Sequence, residues 1–315
     1  MKQIIISIIT IITANCAFAQ TEHEWRATLK VVDEQGSSIS DAKAGVGYFI
    51  NSVGTSVDGF TDTNGFFVAS HTSYGGALGC VAEKLGYYAT RQSYVVPFDY
   101  DPIKWNPTIT MVLKKIGKPI PMYAKNARIE IPEINTPVGF DVMKGDWVAP
   151  YGKGVQSDFI FQAQRRWVSR YNFDSTLKIS FSNPGDGLIP VSVPLNQGSE
   201  LRMAATAPAD GYLSQVLKSL SHTPGSGWVD NEREGNKEIN YYFRVRASLD
   251  ESGNVRSALY GKIYEDFALD PINSKTMKIF FLYYLNPEPN SRDVEFDPKQ
   301  DLFKQLSFRE EVKKP

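Results

Sequence analysis

The sequence predicts a mainly β protein: an N-terminal β-sandwich followed by a larger antiparallel β domain with one or two short helices. Three observations carry this. Apolar and polar residues alternate in many short runs, as strands with one buried face require. Turns rich in Gly, Pro, Asn and Asp separate the runs. Stretches with the 3.6-residue helical period are scarce. The 315 residues, 42% hydrophobic and 22% charged, make an ordinary globular composition with room for about two domains.

Residues 1–19 predict an export signal. Lys2 gives a short positive region, residues 4–12 an apolar run, and Ala17-Phe18-Ala19 the small-x-small pattern of a cleavage site. The run is too short to span a bilayer, and no later run approaches the required ~20 residues. Cleavage after Ala19 leaves a mature chain beginning at Gln20. A retained anchor and a lipidated Cys16 are the competing readings; Asn15 stands where lipidation needs a small residue. Cleavage leaves Cys80 alone, so no internal disulfide forms, and its alternation with Leu78 and Ala82 places it inward.

Residues 20–115 read as the β-sandwich. Trp25, Ala27, Leu29 and Val31 alternate with Arg26, Thr28 and Lys30, and Asp33-Glu34-Gln35-Gly36 ends that strand. Val46, Tyr48 and Ile50 mark a second strand, and Asp62-Thr63-Asn64-Gly65 predicts a hairpin turn. Short strands follow over 78–82, 93–96 and 109–113. Residues 70–79, with Gly75-Gly76, predict a longer loop. Gly36, Ile39 and Ala42, then Thr61, Asp62, Gly65 and Phe67, then Gly86-Tyr87, follow a G-x-x-[IV]-x-x-A, T-D-x-x-G-x-[FY], G-[YF] order. In these motifs the segment resembles the carboxypeptidase regulatory-like (transthyretin-like) domain. That resemblance covers under a third of the chain. It implies a β-sandwich and an accessory role in an exported protein.

Residues 116–124, with Pro119 and Pro121, read as a stiff linker. Residues 125–315 read as the larger domain. Ile129 and Ile131 mark an edge strand. Phe159, Phe161 and Ala163, then Leu177, Ile179 and Phe181, mark two more, with a turn at 183–187. Residues 212–220 predict a short helix, with a strand as the alternative. Residues 221–236 predict an exposed loop, and residues 301–311 a terminal helix. The clearest signal is a meander of three strands over 241–249, 255–264 and 277–285. Residues 241–267 and 277–297 resemble exported bacterial proteins of unknown function, which brings no activity with it.

The chemistry is sparse. Lys plus Arg is 34 and Asp plus Glu is 35, a balance that gives no support to nucleic-acid binding. This holds against the small basic run Arg165, Arg166 and Arg170 as well. His23, His71 and His222 have no metal-ligand spacing, and turn chemistry accounts for Asp62 and Asn64 better than calcium does. No cofactor is predicted. There is no G-x-S-x-G. Asp141 with Asp146, and Glu265 with Asp266, are the nearest carboxylate pairs, and the adjacent pair faces opposite ways on a strand.

Aromatic and arginine side chains offer the better-supported site. Tyr242, Arg244 and Arg246 fall on the face opposite Tyr241, Phe243 and Val245, beside Tyr260 and Lys262 of the next strand. Open to solvent, that row would stack on a sugar ring or a peptide side chain; cover by the helix expected at Tyr212, or by another sheet, is the competing reading. Trp147, Tyr151 and Trp228 stand in glycine-rich loops. The expectation is a non-catalytic, exported cell-envelope protein, periplasmic, outer-envelope associated or secreted. It would bind or hold protein or glycan, with no nucleic-acid partner and no transmembrane segment after cleavage. The alternative is an exported hydrolase of polysaccharide or peptide working through Asp141 or Asp146 and Glu265.

Overall fold

The computed structural model describes residues 22–50, 53–194, 198–225, 227–228, 236–271 and 276–315; the expected export signal and Cys16 lie outside them. Among the described residues the architecture is mainly β, and the one regular helical turn is a 3-10 turn, Pro298–Gln300. No helix among them is long and apolar enough to cross a membrane.

The N-terminal region contributes β1 (His23–Val32), β2 (Lys43–Ile50), β3 (Val53–Phe60), β4 (Phe66–Ser73), β5 (Gly76–Glu83), β6 (Thr90–Val96) and β7 (Thr108–Val112). They form two sheets, ordered β4-β1-β7 and β3-β2-β5-β6. The alternation in β1 works as predicted: Trp25, Ala27, Leu29 and Val31 are buried, and with Tyr48, Leu78, Cys80 and Met111 they fill the space between the sheets. β7 runs parallel to β1, whereas the other pairings here are antiparallel.

Two local expectations change. The turn at 62–65 forms, with Asp62 Oδ1 accepting from the amides of Asn64 at 2.9 Å and Phe66 at 2.8 Å, and Gly65 at φ 78°. It does not close a hairpin, because β3 and β4 belong to opposite sheets. Buried Thr61 marks the crossing. Its hydroxyl donates to Ile39 O at 2.7 Å and accepts from the Ala42 amide at 2.9 Å, at the point where the chain leaves the β3-β2-β5-β6 sheet. Thr61→Val leaves both backbone groups buried without a partner and is expected to cost about 2 kcal/mol in urea unfolding. Unchanged stability would show that another group takes over both bonds. The longer loop expected over 70–79 is instead a tight connection from β4 to β5. Ser73 Oγ accepts from the Gly75 amide at 2.9 Å, and Gly75 and Gly76 take φ values of 109° and 132°, which side chains resist.

The rest of the chain contributes β8 (Tyr123–Glu130), β9 (Pro137–Asp141), β10 (Asp146–Trp147), β11 (Phe159–Ser169), β12 (Asn172–Phe181), β13 (Gly187–Ser192), β14 (Gln215–Thr223), β15 (Gly227–Trp228), β16 (Ile239–Leu249), β17 (Val255–Asp270) and β18 (Lys278–Asn286). They make a second sandwich of two sheets, β10-β9-β11-β12-β14-β15 and β13-β16-β17-β18-β8. The meander β16-β17-β18 is antiparallel as expected, and β8 forms the predicted edge strand. Phe140, Phe159, Phe161, Phe243 and Phe281 pack the core edge to face.

Both expected helices are absent. Residues 215–223 form β14, pairing with β12 from Ser180 to Phe173, because the sheet buries Leu220 and Lys218 on one side and ladder bonds outweigh local propensity. Residues 301–311 run irregularly, held by Asp301 and by the Asn126 amide donating to Glu310 O at 2.9 Å. Within the loop expected over 221–236, Thr223 pairs with Gly227, and residues 226 and 229–235 lie outside the described residues.

A second apolar layer covers the outer face of the β13-β16-β17-β18-β8 sheet. Irregular segments bring Met203, Ala207, Val294, Phe296 and Val312 down onto Tyr242, Tyr260, Tyr264 and Tyr284. One carboxylate joins this layer to the first sandwich. Buried Glu295 accepts from the Tyr88 hydroxyl at 2.7 Å and from the amides of Gly117 and Lys118 at 2.8 and 2.9 Å.

Candidate functional site

The covering layer corrects the reading of the outer face as a solvent-facing row. Tyr242, Arg244, Tyr260 and Lys262 lie on that face and are buried. Tyr242 donates its hydroxyl to Ala204 O at 2.9 Å. Arg244 donates to the carbonyls of Gly185 and Ala209 at 2.6 and 3.0 Å and lies 4.4 Å over the Tyr212 ring. Tyr212 covers the face, as an irregular segment rather than a helix. Isolated apolar residues in coil carry no periodicity, which is why sequence alternation cannot show what covers a sheet.

Arg246 leaves the row altogether. A β-bulge after Val245 puts it at φ 56°, and its guanidinium turns to Asp158 and Asp141. Nε and Nη2 donate to the two Asp158 oxygens at 2.8 and 2.9 Å, and Nη2 also reaches Asp141 Oδ1 at 3.0 Å. The bulge shifts the following residues, so Ala247 joins Tyr242 in the outer layer instead of facing the sandwich core.

The other candidates are mostly structural. Trp147 is buried and donates Nε1 to Glu130 O at 3.0 Å. Tyr151 is exposed, with its hydroxyl pushed up chiefly by a hydrogen bond to Glu133. The Trp228 side chain lies outside the described residues. The carboxylates of the hydrolase reading are engaged by backbone. Asp141 accepts from the amides of Met143, Lys144, Val155 and Gln156, and Asp146 from those of Trp147 and Lys153. Asp266 turns inward, with Lys218 Nζ at 2.5 Å and the Tyr241 hydroxyl at 2.7 Å. Glu265 faces the other way. Among the described residues no cluster of His, Cys, Asp and Glu could hold a metal ion.

Glu265 opens onto the concave feature that sequence reasoning missed. A cavity of about 310 Å³ and a second of about 500 Å³ share Asn126, Tyr264, Glu265 and Leu282, and together form a trough over β17, β18 and β8. Residues 198–202, beside Arg91 of the first sandwich, make one wall. The C-terminal segment 311–314 makes the other, and Arg128 and Lys237 flank the far end.

The walls are held by specific bonds. The Arg202 amide donates to the Tyr264 hydroxyl at 3.2 Å, and its side chain reaches Glu265 Oε1 at 3.2 Å and Lys237 O. Arg91 pairs with Glu200 at 2.8 Å, and the Tyr284 hydroxyl donates to Lys314 O at 3.2 Å. Glu265 itself sits at φ 65° in a second β-bulge, between Tyr264 and Ala268. A non-glycine residue in that region is strained by about 1 kcal/mol or more.

Beneath the floor lies Lys262, fully buried. Its Nζ donates to the Tyr264 hydroxyl at 2.9 Å and stands 4.6 and 4.7 Å from the centres of the Tyr264 and Tyr284 rings. Burial pushes its amine down to about 7, against a smaller upward pull from Glu295. Burial also raises the hydroxyls of Tyr264 and Tyr284.

No protein-family model matches the chain, and no curated protein matches it in sequence. Solved structures are similar only distantly. A DUF3823 family protein from Parabacteroides merdae is 7% identical, with 87% of this chain and 98% of that one covered and a TM-score of 0.21. A putative membrane-associated protein of unknown function from Bacteroides fragilis is 11% identical, with 86% and 99% covered and a TM-score of 0.19. BcpA, the major pilin subunit of Bacillus cereus, is 12% identical, with 82% and 95% covered and a TM-score of 0.23. Nothing about function passes from these proteins to this chain.

Proposed function

We propose that this chain is an exported, non-catalytic binding protein of the cell envelope that holds an extended polypeptide segment in the trough. In this reading the N-terminal sandwich is an accessory module, as its likeness to the carboxypeptidase regulatory-like domain implies, and it lends Arg91 to one wall. Export rests on the leader-like residues 1–19.

Glu265 carries the proposal. Its strained backbone aims a carboxylate into the trough beside Arg202, and such strain gathers where a side chain must be placed for use. A peptide is favoured over a glycan on two grounds. Tyr264 and Tyr284 are buried and present no open ring face for a sugar. The rim carries both signs, with Arg91, Arg202 and Lys314 against Glu200, Glu265 and Glu311, which suits a backbone bearing mixed charges.

The test is selection of the mature chain against a displayed random-peptide library, with affinities measured for wild type and Glu265→Gly. Glycine relieves the left-handed strain, and the lost pair with Arg202 is partly exposed, so stability should stay within about 1 kcal/mol. Affinity should fall about tenfold or more, about 1.4 kcal/mol. Peptides bound equally by both proteins, or envelope polysaccharides retained in place of any peptide, would overturn the reading.

A further inference from the structure

We propose that a second pocket, over the start of β17, binds the phosphate group of a small phosphate monoester through Arg244, Arg256 and Arg292. The inference stands apart from the reading of the trough, with which this pocket shares no residue.

Arg244 carries it. The residue is buried, and no carboxylate among the described residues pairs with it. Buried charges are normally paired, as Lys218 is with Asp266. Arg244 gives Nε and Nη1 to the carbonyls of Gly185 and Ala209 instead. Its Nη2 makes no hydrogen bond among the described residues, and the side chain borders a cavity of about 630 Å³. Directly across the strand pair stands Tyr260, which is also buried, borders the same cavity and leaves its hydroxyl without a hydrogen bond among the described residues.

Two more guanidinium groups line this cavity. Arg256 is four residues before Tyr260 on β17, with Ala258 of the outer layer between them, so alternation puts all three on one face. It is exposed and pairs with no acid among the described residues. Arg292 enters from the loop after β18, where its Nη1 donates to Ala207 O at 2.8 Å and Asn290 Oδ1 accepts from the Ala258 amide at 3.1 Å. Burial raises the Tyr212 hydroxyl, and Arg244 and Arg292 both pull against it, so both lie near that one group. Asp210 is the only carboxylate among the described residues that line the cavity. Three arginines against one aspartate leave two positive charges unanswered.

A phosphate monoester answers them, with about −1.5 to −2 charges at pH 7 and three acceptor oxygens. Guanidinium groups present their N–H donors in a fork that fits such oxygens. A carboxylate would balance one charge and leave the other. The cavity is many times the ~30 Å³ share of one water molecule, which leaves room for an organic body beside the ion. Asp210 repels the phosphate but can accept from a hydroxyl on that body.

The test is calorimetric titration of the mature chain with glycerol 3-phosphate, inorganic phosphate and acetate. Glycerol 3-phosphate should bind most tightly, and acetate about tenfold more weakly or worse. Arg256→Gln and Arg292→Gln alter exposed side chains, so the fold should hold. Each should weaken glycerol 3-phosphate about tenfold, and the double variant should bind none. Asp210→Asn should bind it severalfold more tightly. Glu265→Gly should bind it as wild type does, so this inference and the trough reading fail separately. No binding by wild type, acetate bound as tightly as the ester, or unchanged affinity in Arg256→Gln and Arg292→Gln overturns the inference. If Arg292→Gln does not fold, unchanged affinity in Arg256→Gln alone overturns it. Inorganic phosphate bound as tightly as the ester would make the free ion the occupant and overturn the assignment to a monoester.

Discussion

Arg246→Met should cost about 3–5 kcal/mol at neutral pH, because it strands two buried carboxylates. Asp141 and Asp158 are both fully buried, and Arg246 is the cation that bridges them. Methionine keeps most of the side-chain volume and removes the charge, so the loss reports the uncompensated anions rather than a cavity. Burial already holds the Asp158 carboxyl above its ordinary value, with Arg246 pulling it back. Without the arginine it rises further, and acid supplies the proton that removes the buried charge. The difference between wild type and variant should therefore be largest near pH 7 and shrink as pH falls through the raised value. Urea unfolding at several pH values measures it. Adding Asp158→Asn to the variant should recover part of the loss, since the amide carries no charge. A loss below about 1 kcal/mol at pH 7 would mean that the backbone amides around Asp141 and Asp158 stabilise both anions unaided.

Lys262→Met should reshape the pH dependence of stability. In the folded chain the amine lies near 7, against an ordinary value of 10.5. Between those values the unfolded chain binds the proton and the folded chain does not, so this residue makes stability rise with pH across that window. The full difference corresponds to about 5 kcal/mol. Methionine fills the same space without a charge, so the variant should be more stable than wild type below pH 7. The gap should narrow as pH climbs towards 10.5. A gap that stays constant from pH 6 to about 10 would show that Glu295 and the two rings keep the amine at its ordinary value.

The strands were largely legible, and their surroundings were not. Period-two alternation placed Trp25 to Val31, Phe159 to Ala163 and the meander correctly, because each of those strands has one face on a core. The same alternation failed at Arg246, where one extra residue in a bulge rotates the chain and no local signal marks the insertion, while Glu265 and Asp266 face opposite ways as expected. It also failed at 212–220, where pairing with β12 decided between helix and strand. The candidate site was nearly invisible for another reason. Arg91, Arg202, Glu265 and Lys314 are far apart in the chain and ordinary in composition, and only the fold brings them together. Tyr260, Lys262 and Tyr264 were on one face as expected. That the face was roofed over depended on Met203, Phe296 and Val312, which lie in segments with no periodicity to read.

The clasp made by Glu295 gives the molecule a mechanical character. Tension that pulled the two sandwiches apart would meet the Glu295 bonds, the Arg91–Glu200 pair and the backbone bonds that tie Ala89 and Arg91 to Glu200 and Gly198. The same line of load runs past the trough, whose walls come from both sandwiches. A segment seated there would splint the joint, and the joint under strain would in turn open its grip on the segment. The stiffness of the molecule is thus set at a joint of two parts, the Glu295 carboxylate shared by Tyr88 and the amides of Gly117 and Lys118, and the bridge between Thr90 and Ser199.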